Sequence, residues 1–189
     1  MTLGRVLILV MAATTAEVST QAQHREAKLA GPAVGVTTPA PEMVKRNWVV
    51  GTWSVTERHE KTDLSPGGTG TGTSVITLGP GGHSQLITYN SNGPAGKYSG
   101  HGIIGWDPEA KVYRAAWADS MTRGVVTTDC REESKDWVCV GETVTQGKKI
   151  TTRSRSIAPS PAGWTEVTEV STDGQPFTKV RAFEFKRAK

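Results

Sequence analysis

The chain is short of the residues from which most chemistry is built. It has two cysteines, four histidines, three tyrosines and three phenylalanines in 189 residues. Two isolated cysteines cannot supply the closely paired four-ligand set of a structural zinc site. His59, His83 and His101 fall on separate segments without metal-ligand spacing, so neither a metal nor a cofactor is implied. No Gly-x-Ser-x-Gly elbow occurs, which removes that exposed serine nucleophile. Gly67-Gly68-Thr69-Gly70-Thr71-Gly72 lacks the lysine and helix of a phosphate loop, and Asp63 to Gly72 reads as a flexible rim loop. The formal charge of +4 is modest. Lys148, Lys149, Arg153 and Arg155 have no interleaved aromatics for base stacking, so nucleic acid is not an expected partner.

What is present begins with a leader. Arg5 precedes the apolar run Val6 to Ala13, and small residues follow near Thr20-Gln21-Ala22. The run is too short to span a bilayer and reads as a cleaved secretory signal over residues 1–22. The mature protein is then secreted or periplasmic, with no membrane insertion after cleavage. Residues 23–40 lack periodicity and are rich in Ala, Gly, Thr and Pro, the composition of a flexible linker. Residues 41–189 form the expected domain, long enough to bury about two-thirds of its unfolded surface. Cys130 and Cys139 flank a charged run that cannot be core. A hairpin folded about Ser134 and Lys135 sets the two thiols opposite each other, and an exported chain would join them.

Pro41 to Val49 reads as a short helix with Met43, Val44 and Trp48 on one face. From Gly51 onward, short β-rich runs alternate with turn signals such as Gly79-Pro80-Gly81-Gly82 and Asp173-Gly174. About ten strands at that spacing predict an all-β fold, a single up-and-down antiparallel barrel. A barrel is preferred to a sandwich because no strand carries the marks of a blunted edge.

The step Gly51-Thr52-Trp53 after a short helix resembles the opening of lipocalin-like (calycin) barrels. Gly105-Trp106-Asp107-Pro108, Val112-Tyr113 and Trp117-Ala118-Asp119-Ser120, in that order, resemble a bacterial domain-of-unknown-function family of that superfamily. The resemblance covers about Val44 to Lys186 and implies a ligand-sized cavity, with no settled reaction. It also implies that Trp53 closes the barrel floor and that Arg181 stacks beneath it as a cap. Related heme-binding barrels carry a longer glycine-rich first strand and a histidine near the C-terminus. Phe177 to Lys189 holds no histidine, so heme is not expected.

The candidate site residues follow from alternation. Tyr113, Trp117 and Asp119 share one side of a strand. With Tyr89 and Tyr98 they are candidate lining for a small-molecule ligand. Arg153 and Arg155 share a face: inward they would clamp a carboxylate, outward they are solvated strand residues. His101, flanked by Gly100 and Gly102, and Asp119 are the candidate acid–base pair. The first reading is therefore an exported barrel that binds a small, partly apolar ligand. The second is a cofactor-free isomerase, cyclase or lyase using His101 and Asp119 in the same cavity. A third is an interaction domain with a packed core. Oligomeric state is not legible at this level.

Overall fold

The computed structural model describes residues 38–62, 65–145 and 147–189. The proposed signal segment and residues 23–37 of the linker lie outside them. Pro41 starts a one-turn helix, α1 (Pro41–Lys45), with Glu42 in its first turn and Lys45 in its last, as the helix dipole favours. A 3-10 turn, Asn47–Val49, follows. Met43 (1% exposed) plugs an apolar cluster of Ile104, Tyr113, Cys130 and Trp137. Val44, expected on the same face, points into solvent.

Ten strands follow: β1 (Gly51–Thr62), β2 (Ser65–Leu78), β3 (Ser84–Gly93), β4 (Gly96–Asp107) and β5 (Val112–Asp119), then β6 (Val126–Glu133), β7 (Asp136–Thr145), β8 (Lys148–Ser160), β9 (Gly163–Thr172) and β10 (Thr178–Arg187). Each pairs antiparallel with its sequence neighbour, and β1 pairs with β10 to close the barrel. The lipocalin-like up-and-down barrel read from the sequence is therefore the fold. No helix among the described residues is long and apolar enough to cross a membrane.

The stretch expected as a rim loop is strand from Ser65 on. Thr69, Thr71 and Thr73 face out, while Gly70 and Gly72 face in, where Glu57 and Tyr89 occupy the space a Cβ would need. A glycine-rich run is thus a strand whose inner face is filled from its neighbours.

The floor is built around Trp53, which is 0% exposed and donates from Nε1 to the Val49 carbonyl at 2.7 Å. The cation stacked on it is Arg187, 4.0 Å from the ring centroid, and not Arg181. Arg187 also donates to the carbonyls of Val50 (2.7 Å) and Trp48 (2.6 Å). A β-carbon at residue 51 would fall 2.3 Å from Arg187 Nη1, and Gly51 has φ +137. The Gly-x-Trp step is therefore a consequence of the arginine that crosses it. Trp164 packs edge-on to Trp53 and stacks on Phe185 at 4.4 Å.

Cys130 and Cys139 are register partners across β6–β7 and form a disulfide. Ser134, at φ 60, turns the hairpin. Replacing both cysteines with alanine should cost about 2–3 kcal/mol through the freed loop, read as a lower urea midpoint at unchanged slope. Arg187→Gln should cost about 1–3 kcal/mol, and the same change at Arg181 should cost less; equal losses would contradict the floor assignment.

Candidate functional site

Alternation from Trp53 carries Val55, Glu57 and His59 to the inner face of β1, moving away from the floor. Opposite them on β10 lie Phe185, Phe183 and Arg181. On β9 the same rows continue through Trp164, Glu166 and Thr168. The closing seam thus sets two carboxylates, an imidazole and a guanidinium together on the inner wall.

Glu57 is 4% exposed, and a buried carboxylate is tolerated only with donors. Tyr89 donates its hydroxyl to Oε1, and His59 Nε2 lies 2.8 Å from Oε2. Burial pushes the Glu57 carboxyl up, but hydrogen bonds from Tyr89, His59 and Ser91 outweigh it, so it titrates below the usual glutamate range. Burial and then the Glu57 contact raise the Tyr89 hydroxyl far above its ordinary value. Glu166 is the reverse case: burial raises its carboxyl, opposed by Arg181 and by Ser156, whose Oγ is 3.3 Å away. Such opposed shifts leave one interior carboxylate ionised while favouring the protonated form of the other.

Arg181 lies 5.1 Å over the Phe183 ring. It forms no ion pair among the described residues, and its buried Nε has no hydrogen-bond partner. A second aromatic group completes this half of the barrel. Trp117 donates from Nε1 to the Tyr98 hydroxyl at 2.8 Å. That hydroxyl is pushed up to about 12, first by burial, and is hydrogen-bonded to Asp119. Tyr89 and Tyr98 are neighbours with centroids 5.9 Å apart.

Tyr89, Tyr98, Trp117 and Asp119, all candidates from the sequence, therefore meet on the inner wall of this half. Asp119 serves as a turn anchor: Oδ1 accepts from the backbone N–H of Met121 (2.8 Å) and Thr122 (2.6 Å). Burial raises its carboxyl, but these bonds and Tyr98 hold it below the ordinary range. Tyr113 belongs to the other end, donating to the Glu42 carbonyl at 3.1 Å and packing on Trp137.

Three candidates require correction. His101 faces outward, exposed, with Nδ1 3.2 Å from Thr88 Oγ1. It pairs in register with Ala118, one residue from Asp119, so the two proposed acid–base groups lie on opposite sides of the wall. Arg153 and Arg155 also face outward. Arg153 pairs with Glu169 at 2.8 Å and covers Phe177 at 4.0 Å, while Arg155 pairs with Asp136 at 2.9 Å and Glu133 at 3.4 Å. Ser154 and Ser156 take the inner positions between them, so no carboxylate clamp exists there.

Glu57, His59 and Glu166 were missed from the sequence, and Arg181 was assigned elsewhere. The signal for the first two was available: Trp53, Val55, Glu57 and His59 share a side, and Trp53 was already placed inside. Two open grooves of about 610 and 680 Å³ lie at the surface, one beside Ile103, Ala116 and Val140, the other beside Thr73, Asn90 and Asn92 and reaching Tyr98. Neither contains Glu57, Glu166 or Arg181, so the interior is the better candidate.

Residues 46–184 match the model of the family described as Protein of unknown function (DUF1579). Among solved structures, the chain is similar to Rv2717c from M. tuberculosis at 14% identity and TM-score 0.56, covering 80% of this chain and 99% of that one. It is also similar to EF1p2_mFAP2b bound to DFHBI, at 12% identity and TM-score 0.41 over 75% of this chain and 95% of that one. A third is the S-type phycobiliprotein lyase CPES from Guillardia theta, at 11% and 0.46 over 76% and 90%. At these identities the first likeness concerns the fold alone, and nothing is drawn from the other two. No curated protein matches the chain.

The opposed carboxyl shifts set a pH dependence. Glu57 adds stability that is complete above the unfolded glutamate value of about 4.3 and is lost as pH falls through its lower folded value. Glu166, raised on folding, adds stability that is complete below about 4.3 and is lost as pH rises to its folded value. Urea unfolding from about pH 3 to pH 8 should show Glu57→Gln flattening the acid limb and Glu166→Gln removing the decline above it. An unchanged acid limb in Glu57→Gln would contradict the assignment.

Proposed function

We propose a binding function for this chain, which belongs to the DUF1579 family of proteins of unknown function: it takes up a small, partly apolar molecule in the half of the barrel away from the floor. The observation that carries the reading is Arg181, whose buried Nε–H has no acceptor among the described residues. An unsatisfied buried donor costs about 1–3 kcal/mol, more for a charged group, so an acceptor brought in by a ligand would complete the site. The floor offers a contrast. There the two partnerless atoms, Arg46 Nε and Gln85 Oε1, are complementary, on residues already joined by a 3.1 Å bond from Gln85 Nε2 to the Arg46 carbonyl. A bridging water would satisfy both.

Aromatic rings supply the apolar wall around Arg181, with Tyr89 and Phe183 at its base. A barrel of eight strands leaves room for side chains or one small ligand, and this one has ten. The leader-like residues 1–22 and the Cys130–Cys139 disulfide support action in an oxidising compartment, secreted or periplasmic. A proton shuttle between His101 and Asp119 is set aside, because the two side chains point to opposite sides of the wall.

Native mass spectrometry of protein recovered from an oxidising compartment should find a stoichiometric small molecule, released on denaturation. Arg181→Gln should weaken rebinding of that molecule about 10- to 100-fold, with His101→Ala unchanged. An empty barrel that also takes up no apolar dye would overturn the reading.

A further inference from the structure

Every interior aromatic ring except one, among the described residues, is paired with another ring, stacked, tilted or edge-on. Trp53 and Phe185 pack on Trp164, Tyr89 on Tyr98 and Phe183, and Tyr113 on Trp106 and Trp137. Trp117 forms no such ring pair among the described residues; it is half-buried on the inner wall and packs against the cluster of Val55, Tyr89 and Phe183. Its support is backbone. A β-carbon at Gly100 would fall 2.4 Å from Trp117 Cζ2, and one at Gly102 would fall 2.5 Å from Cε3. Both β-carbons would point into the barrel, and they meet two ends of the benzo ring at nearly the same height. The indole therefore lies flat across β4, where only glycine permits that approach.

The ring is also fixed in its plane. Nε1 donates to the Tyr98 hydroxyl, and that hydroxyl is bonded to the Asp119 carboxylate, which two backbone N–H groups hold in turn. A tryptophan that only filled volume would be enclosed by other side chains on both faces. This one has backbone against its benzo ring, is half-buried and not enclosed, and has a chain of hydrogen bonds setting its tilt. Those are the properties of a stacking surface built in advance.

We propose that Trp117, laid on Gly100 and Gly102, is a stacking platform, and that the ligand is a flat, conjugated molecule whose acceptor or anionic end reaches Arg181. The proposal rests on the binding function above and adds the ligand's class. Tyr89 and Tyr98 hydroxyls are already committed to Glu57 and Asp119, and Glu57 is committed to Tyr89, Ser91 and His59. Arg181 is left as the group in this half of the interior with an unanswered donor, and a planar carboxylate or phenolate matches its fork.

Three probes separate the terms: 2-naphthoate (flat and anionic), 2-naphthylmethanol (flat and neutral) and dodecanoate (flexible and anionic). Calorimetric titration of the oxidised protein should give 2-naphthoate an affinity about tenfold or more above dodecanoate. Trp117→Leu should abolish that preference, lowering 2-naphthoate about tenfold and leaving dodecanoate within about twofold. Trp117→Phe should restore part of it, and unchanged urea midpoints would show that the barrel is intact. Should Trp117→Leu fail to fold, Gly102→Ala, which pushes the indole off its bed, should produce the same loss of preference. Arg181→Gln should weaken both anions and spare 2-naphthylmethanol. Equal affinities for 2-naphthoate and dodecanoate, or equal losses for both in the Trp117 variants, would overturn the flat-ligand proposal and leave the binding function standing. Failure of all three probes to bind would overturn both.

Discussion

Pairing β1 with β10, from Trp53↔Arg187 to His59↔Arg181, is the constraint on which the other features depend. An open ten-stranded sheet would leave two rows of backbone donors and acceptors unsatisfied. Closure removes both edges and divides each strand into an inner and an outer row with a period of two. The seam does more than close. Its floor end brings Arg187 over Trp53, and its far end gathers Glu57, His59, Arg181 and, one strand on, Glu166. The same ladder that holds the barrel shut therefore assembles the charged part of the interior.

The two halves of that interior obey different rules. Near the floor, Trp53, Trp164 and Phe185 pack ring against ring, and Arg187 and Arg46 serve as cations laid on aromatic faces. Arg46, stacked 3.6 Å over Trp137, is driven by burial to about 10. Further along, apolar packing gives way to carboxylates, hydroxyls and a guanidinium that are individually costly to bury. Most of them satisfy one another. The one that does not, Arg181, and the half-buried Trp117 on its glycine bed are the groups that a ligand would complete. A local departure from full satisfaction inside an otherwise consistent fold is where function is expected to reside.

The errors of sequence reading share one cause. Arg181 and Arg187 stand on the same side of the same strand, about 20 Å apart when extended, and only the register with β1 tells which one meets Trp53. Strict alternation would place Phe177 on the side of Phe183 and Phe185. A bulge between Lys179 and Arg181 interrupts the period, and Phe177 lies outside against Arg153. The flanking glycines singled out His101 in the sequence, whereas the space they leave belongs to Trp117 on the opposite face.

By itself the sequence determined the container. Turn residues recurring between short β-rich runs set the strand number, Gly51-Thr52-Trp53 set the floor, and the spacing of Cys130 and Cys139 set the crosslink, because each of these is a local signal. The tertiary structure alone decided the contents. Which arginine caps the floor, which carboxylate finds donors, and which tryptophan lies on glycine are all set by cross-strand register and bulges, and a one-residue slip in either exchanges the inner row for the outer.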